Sequence, residues 1–121
     1  MTTQEREAVP TLSADAPTAS FDVSSLVKAW SGKDHTVVLL KTDSLRVVFR
    51  SLSEGNQLAT HKAAGDITVQ VLEGQIEFTA AGQTVPLQKG QVFALRAAVP
   101  HSVRAVQPAA ILITLAAGQR S

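Results

Sequence analysis

The chain has 121 residues, the size of one ordinary domain, and 45% of them are hydrophobic, which is a globular proportion. It carries 11 basic and 10 acidic residues, a balance that offers no long-range field for nucleic acid or an anionic membrane. There are no cysteines, so disulfides, thiolate zinc sites, iron–sulfur clusters and a cysteine nucleophile are excluded.

The first 20 residues are rich in Thr, Ser, Ala and Pro and follow neither a helical nor a strand period. We expect residues 1–20 to form a flexible or extended arm. Their polar start is not followed by the apolar segment that a secretory signal needs, and no part of the chain approaches the roughly 18 apolar residues of a membrane span. We therefore expect a soluble, cytoplasmic protein.

The next segment is a candidate helix over about residues 22–31, with Asp22 or Ser24 as its N-cap and Gly32 as its stop. Its hydrophobic residues recur three and four positions apart, which places them on one face. These residues are Val23, Leu26, Val27 and Trp30. We expect this face to pack against one end of a core rather than to bind a cofactor.

From His35 onward the hydrophobic period changes to two, which predicts strands. Short alternating segments follow one another, with turn residues between them. The predicted strands are residues 36–41, 45–52, 58–61, 67–72, 75–80, 84–87, 91–96, 102–106 and 110–116. This even spacing is typical of an all-β sandwich or barrel. We expect positive φ at Gly74, Gly82 and Gly90, which stand in turns.

Alternation along two of these segments places a histidine on an inward face. His101 shares its face with Val103 and Ala105, and an apolar face should point to the core. In the earlier segment Gln57 and His61 share a face, provided that no bulge interrupts the strand. The two histidines can therefore meet inside the predicted barrel. His35, beside charged neighbours, is expected at the surface.

The second predicted strand alternates two arginines with large apolar residues. Arg46 and Arg50 share one face, and Val47 and Phe49 lie opposite. Because charged side chains normally face water, we predict that the arginines form a polar outer face of the barrel.

The spacing of glycines and histidines resembles the two sequence motifs of the cupin superfamily. The first motif reads G-x5-H-x-H-x3,4-E-x6-G, and Gly55, His61 and Gly74 stand in register with it. The second motif reads G-x5-P-x-G-x2-H-x3-N, and Gly90 and His101 match it with the correct spacing. The combined register of these matches is more specific than any one of them.

This resemblance covers roughly residues 35–116 and implies an all-β, cupin-like barrel of the RmlC-like jelly-roll type, preceded here by the short N-terminal helix. We expect a single barrel domain over residues 21–121. The resemblance also suggests a homodimer, and a small barrel with exposed sheet edges gains by pairing them.

The metal site that the resemblance implies is incomplete. The family uses two histidines and a glutamate from the first motif and a histidine from the second. Ala63 occupies the second histidine position and Ile67 the glutamate position, so only His61 and His101 remain. Two imidazoles hold a divalent ion weakly, because tight sites normally use three or more protein ligands.

Three further residues are candidates for the site. Gln57, on the predicted face of the first histidine, could replace a lost ligand. Asp66 stands one residue before the glutamate position and would need a bulge to turn inward. Arg96 replaces the proline of the second motif, where it could bind an anionic ligand at the barrel mouth or form an exposed strand end; the exposed position is favoured slightly.

Three interpretations of the histidine pair remain open. His61 and His101 form a metal site for Fe, Mn, Ni or Zn, or they orient a small molecule by hydrogen bonds, or they are a buried pair satisfied by water. The first predicts a metal-dependent enzyme of the dioxygenase or isomerase type. The second predicts a small-molecule-binding protein, which we favour because two of the four ligands are lost. No sequence feature favours nucleic acid or a membrane as a partner.

Overall fold

The computed structural model describes residues 11–30 and 32–118, and it confirms the predicted all-β fold with one short N-terminal helix. The elements in chain order are α1 (Val23–Ala29), β1 (His35–Lys41), β2 (Leu45–Leu52), β3 (Gln57–His61), β4 (Ile67–Glu73), β5 (Gln75–Ala80), β6 (Gln83–Gln88), β7 (Val92–Leu95), β8 (His101–Ala105) and β9 (Ala109–Ala116). Every predicted strand is present, with each end within one residue of its predicted position. Of the predicted arm, residues 1–10 lie outside the described residues, and residues 11–20 are exposed without helix or strand.

Helix α1 begins at the predicted N-cap. The Asp22 carboxylate accepts hydrogen bonds from the Ser25 backbone N–H at 3.3 Å and from Ser25 Oγ at 2.8 Å. The first of these bonds satisfies an N–H that the start of a helix leaves without a partner. The helix ends where Trp30 takes an extended backbone and its N–H donates to the carbonyl of Val27. The last residue of the predicted helix, Ser31, lies outside the described residues.

The nine strands of the described chain form two antiparallel sheets. The first sheet has the strand order β1-β2-β9-β4-β7, and the second has the order β3-β8-β5-β6. After β2 the chain changes sheet at almost every connection, so each sheet is built from distant parts of the sequence. Two sheets connected in this way make a jelly-roll barrel, with one core between their inner faces.

The main core lies between the two sheets and takes side chains from both. Among its largest fully buried members are Leu52, Val71 and Ile111 of the first sheet and Phe78 of the second. The ring of Phe78 meets that of Phe93 from the opposite sheet, with ring centroids 4.6 Å apart. This tilted aromatic contact joins the two sheets.

The apolar face of α1 packs on the outer face of the five-stranded sheet. Its contacts there are the buried Leu39, Phe49 and Ala110, which form a cluster separate from the main core. The prediction that this face packs rather than binds a cofactor agrees with the structure, but the helix covers the side of the barrel and not one end.

The position of α1 reverses the predicted orientation of β2. Because the helix covers the outer face, Val47 and Phe49 are the outward residues and pack beneath it. Arg50 lies on the opposite, inward face, where its register partner is Ile111. The prediction that Arg46 and Arg50 form a polar outer face is therefore wrong. When both faces of a strand are covered, alternation alone cannot tell which face is inside.

The glycines expected in turns have the predicted backbone. The φ angles are +82° at Gly74, +77° at Gly82 and +90° at Gly90. Their lack of a Cβ allows these turns at little steric cost. Gly74 is also crowded, since an added Cβ would collide with the carbonyl of Pro108.

Candidate functional site

A cavity of about 360 Å³ opens between the inner faces of the two sheets. That volume falls in the range of small-molecule pockets, which span about 300–1,000 Å³. Its walls are mainly apolar and come from both sheets, and its apolar lining consists of Val48, Leu58, Ala59, Ile67, Val69, Phe78, Val103, Ile111, Ile113 and Leu115. The polar residues that line it are Thr36, Arg50, Gln57, His61 and His101.

The structure brings the two predicted histidines together in this cavity. His61 ends β3 and His101 begins β8, and the two are register partners across the antiparallel pair. Their ring centroids lie 4.3 Å apart, with the ring planes tilted by 58°. Partners in such a register project to the same side of the sheet, so both imidazoles reach the cavity.

Backbone hydrogen bonds fix the orientation of both imidazole rings. His61 Nδ1 lies 2.9 Å from the Ala59 carbonyl oxygen, and His101 Nδ1 lies 3.0 Å from that of Val99. A carbonyl oxygen only accepts, so Nδ1 carries the hydrogen in each ring. In the neutral imidazole the lone pair then sits on Nε2, at the edge of the ring away from the backbone. The cavity therefore receives two potential hydrogen-bond acceptors side by side.

The two histidines differ in their surroundings. His101 is buried, with 5% of its surface exposed, and its ring stacks on Phe78 with the planes 6° apart. His61 is exposed and stands at the rim of the cavity. His101 thus forms part of the packed interior, whereas His61 can be reached from solvent.

Gln57 lines the cavity, but a β-bulge separates it from the strand face of His61. The pairing of β3 with β8 shifts between Leu58 and His61, as at a β-bulge. Leu58 pairs with the buried Val103, whereas Gln57 pairs with the exposed Arg104. The predicted common face of Gln57 and His61 is therefore wrong, because the bulge brings the face of Leu58 inward together with the histidine. Gln57 is exposed, although it is among the residues that line the cavity.

Arg96 and Asp66 also lie away from the histidine pair. Both border a separate surface depression beside Thr68 and Ala94. Asp66 does not turn inward, because its Oδ1 accepts a hydrogen bond from the Ala97 backbone N–H at 2.9 Å. Arg96 is exposed, in agreement with the slightly favoured of its two predicted positions. His35 is exposed on β1 and does not line the cavity, in agreement with its predicted surface position.

These positions bear on the metal site. In residues 11–30 and 32–118 no three His, Asp or Glu side chains lie close enough together to hold one ion. His61 and His101 remain a two-donor set, because Asp66 is engaged elsewhere and Ile67 offers no donor. Two imidazoles do not fit the three or more protein ligands of a tight divalent site.

Arg50 is the cavity residue that the sequence analysis missed. It lines the cavity from β2, next to its β1 register partner Thr36. Its Nε is fully buried and, among the described residues, has no hydrogen-bond partner. No signal in the sequence identifies it, because the inward position of Arg50 follows from the packing of α1 on Phe49, which only the structure shows.

The charge of Arg50 acts on the pKa of a neighbouring carboxylate, that of Asp34. Hydrogen bonds from the Ser53 backbone N–H and from the Asn56 side chain lower the pKa of Asp34, and the charge of Arg50 adds to this effect as the smallest cause. The carboxylate is 2.8 Å from both the Ser53 nitrogen and Asn56 Nδ2. It therefore ties the start of β1 to the turn before β3.

A second depression adjoins His61 and Leu115 at the cavity mouth. It is bordered by Lys41, Arg46 and Lys62, all of them exposed. No carboxylate borders either this depression or the cavity in the described part of the chain. The entrance is therefore basic, although the net charge of the whole chain is only +1.

The fold and the site together define a class of protein. It is a jelly-roll barrel that has a mainly apolar interior and a pair of histidines in its cavity. Residues 47–115 match the family model Cupin_2, described as a cupin domain, and this match covers more than half of the chain. The chain therefore belongs to the cupin domain family, and the predicted resemblance is confirmed. None of the curated protein sequences compared matches it significantly.

Solved structures share the fold. A conserved protein of unknown function from Streptococcus pyogenes is 21% identical, with a TM-score of 0.73 over 94% of this chain and 100% of its own. A cupin superfamily protein from Desulfitobacterium hafniense is 18% identical, with a TM-score of 0.74 over 92% of this chain and 99% of its own. A cupin 2 conserved barrel domain protein from Leptotrichia buccalis is 29% identical, with a TM-score of 0.72 over 79% of this chain and 47% of its own.

No helix in the part of the chain that the structure describes is long and apolar enough to cross a membrane.

Proposed function

We propose that this cupin-domain protein binds a small molecule in the barrel interior, with His61 and His101 as polar contacts. The observation that carries the proposal is the pair of imidazole rings that line the cavity, each with its Nδ1 bonded to a backbone carbonyl so that Nε2 is free to accept. Convergent polar groups in an otherwise apolar cavity are the usual arrangement of a ligand site. Each Nε2 is suited to accept a hydrogen bond from a hydroxyl or N–H group of the ligand.

A metal-dependent enzyme of the dioxygenase or isomerase type is the alternative. Histidines that bind a metal commonly donate their other N–H to a backbone carbonyl, and His61 and His101 do so here. The number of protein donors does not support it, because the described residues supply only these two imidazoles.

The test compares wild type with a His61→Ala/His101→Asn double variant and with His35→Ala as the matched control. The control removes an exposed histidine outside the cavity, so it shows whether the loss of an imidazole elsewhere affects binding. Proteins without a metal-binding tag are screened by ligand-detected NMR against small acids, alcohols and amides, and metal is measured by elemental analysis after incubation with Fe, Mn, Ni or Zn.

Binding to wild type and to the control, but not to the double variant, supports the proposal. Equal binding by all three would place any ligand outside this cavity. Near-stoichiometric metal in wild type and in the control, but none in the double variant, would favour the enzyme instead. Thermal unfolding of each variant shows that it is folded before binding is compared.

The family resemblance and the sheet edges also lead us to propose a homodimer. Strands β1 and β7 are the edges of the five-stranded sheet, and each carries an exposed apolar residue, Val37 and Val92. Unpaired edges with apolar side chains favour association. Light scattering coupled to size exclusion gives the mass directly, and a monomer at micromolar concentration would contradict this part of the proposal.

A further inference from the structure

The half-buried Arg50 of the cavity wall is a feature that the histidine pair does not explain. Arg50 lines the cavity, and its Nε is the one buried side-chain nitrogen or oxygen without a hydrogen-bond partner in the part of the chain described. A guanidinium keeps its charge at any pH a protein tolerates. The cavity wall therefore carries a permanent positive charge.

Among residues 11–30 and 32–118, no acidic group neutralises this charge in an ion pair. The ion pairs found within the described residues are Lys89 with Glu73 and Arg104 with Glu77. Asp34 is close enough to Arg50 for its pKa to respond to the charge, but its oxygens accept hydrogen bonds from Ser53 and Asn56 instead. An unpartnered buried polar group destabilises the folded state, so its presence in a cavity points to a ligand that completes it.

We propose that the cavity binds a small carboxylic acid whose carboxylate pairs with Arg50. This inference rests on the proposed small-molecule function and names the class of ligand. The planar guanidinium matches a carboxylate in a two-bond fork. A phosphate dianion fits less well, because Arg50 is the single cationic side chain among the described residues that line the cavity.

The other walls add two features to the ligand. The ligand needs one negatively charged group, to pair with Arg50. The rest of its surface meets a lining that is apolar apart from Thr36, Gln57 and the histidines. The Nε2 atoms of His61 and His101 accept hydrogen bonds and so favour a ligand hydroxyl. The cavity is thus suited to a hydroxylated carboxylic acid with an apolar carbon body, and the exposed Lys41, Arg46 and Lys62 at the adjoining mouth attract such an anion.

The experiment uses a graded series of probes, from beta-hydroxybutanoate to para-hydroxyphenylacetate, each with its methyl ester and its deoxy acid. Binding is measured by calorimetry and by shifts of backbone amide NMR signals. The proteins are wild type, Arg50→Met, Arg50→Lys and Arg96→Met. Methionine keeps much of the length of arginine without the charge, lysine keeps the charge, and Arg96→Met removes an exposed arginine outside the cavity.

We expect at least one acid of the series to bind wild type and Arg96→Met about 10- to 100-fold more tightly than its ester, as charge-assisted hydrogen bonds imply. Arg50→Met loses this preference, and Arg50→Lys retains part of it. A preference for the acid that survives in Arg50→Met, or equal binding of acids and esters to wild type, would overturn the carboxylate inference and leave the binding function standing. Failure of both acids and esters to bind wild type would overturn the inference and the proposed function together.

The unliganded stability of Arg50→Met separates the ligand role from a structural one. If Arg50 served only the fold, its loss would lower the melting temperature without changing the ratio of acid to ester affinity. We expect the reverse, an unchanged or raised melting temperature with the ratio abolished, and a lowered melting temperature with an intact ratio would overturn the inference.

Discussion

His61 and His101 are register partners on adjacent strands, and their ring centroids lie 4.3 Å apart inside the barrel wall. The bulge in β3 makes this contact possible, since it turns both Leu58 and His61 to the same side although they are three residues apart. A regular strand would direct them to opposite faces. The geometry of the candidate site therefore depends on one irregularity of one short strand.

The different burial of the two histidines predicts different effects on stability. We expect His101→Ala to lower the free energy of unfolding by about 1–3 kcal/mol, because it removes a buried ring stacked on Phe78 and a hydrogen bond to the Val99 carbonyl. His61→Ala, at the exposed rim, should change it by no more than about 0.5 kcal/mol. Urea denaturation of both variants and wild type measures the difference, and equal losses would contradict the described burial.

The histidine pair was predictable from the sequence, whereas its neighbours were not. His101 was placed correctly because Val103 and Ala105 continue its face without interruption. Gln57 was misplaced because alternation assumes a regular strand, and nothing in the residues around it specifies the bulge before His61. The tertiary pairing of β3 with β8 decides that register.

The unpartnered Nε of Arg50 predicts a stabilising substitution. We expect Arg50→Met to raise the free energy of unfolding of the unliganded protein by about 1–2 kcal/mol, because an apolar side chain replaces a buried donor that has no acceptor. Chemical denaturation without added ligand measures the change. The matched control is Arg104→Met, which breaks the exposed ion pair with Glu77 and should lower stability by no more than about 1 kcal/mol. A loss of stability in Arg50→Met that exceeds the loss in the control would show that Arg50 has a partner in the folded protein.

Arg50 also shows why the interior of the barrel could not be read fully from the sequence. The strand β2 carries apolar residues on both faces, Val48 and Leu52 inward and Val47 and Phe49 outward. Phe49 is buried and Val47 is partly buried because α1 lies over them. The sequence indicated an amphipathic helix but not the surface that it covers, so the arginine was assigned to water by default.

The crowded turn at Gly74 predicts a strong effect of a single methyl group. Gly74→Ala must adopt φ near +82° and also bring its Cβ against the Pro108 carbonyl. The left-handed backbone alone costs about 1–2 kcal/mol, and the collision adds to it, so we expect a loss of more than about 2 kcal/mol. Thermal and urea unfolding give the value.

Gly82→Ala is the matched control for this turn. Gly82 has a φ of +77°, but an added Cβ there meets no atom within 4 Å. We therefore expect only the backbone contribution of about 1–2 kcal/mol. Similar losses in the two variants would mean that the Pro108 carbonyl moves away easily, and that the close approach at Gly74 does not constrain the turn.

The hydrogen bonds to Asp34 predict a dependence of stability on pH. They lower the pKa of Asp34 below its ordinary value of 3.8, the first of them from the Ser53 backbone N–H and the next from Asn56. Because the folded pKa lies below the unfolded one, the ionised carboxylate stabilises the fold fully above about pH 4, and this contribution is lost as the pH falls through the folded pKa. Asp34→Asn should therefore be less stable than wild type at neutral pH, with a difference that shrinks in acid.

Urea denaturation of wild type and Asp34→Asn from neutral pH to about pH 2.5 follows this difference across the titration of the carboxylate. The variant Asp43→Asn, which removes an exposed acid from the turn between β1 and β2, controls for the change in net charge. A difference between wild type and Asp34→Asn that stays constant over the whole range would mean that the ionised carboxylate does not hold the turn before β3. In that case the loop that precedes His61 would owe its position to the backbone bond between Gly55 N–H and the Ala105 carbonyl, at 2.8 Å, rather than to Asp34.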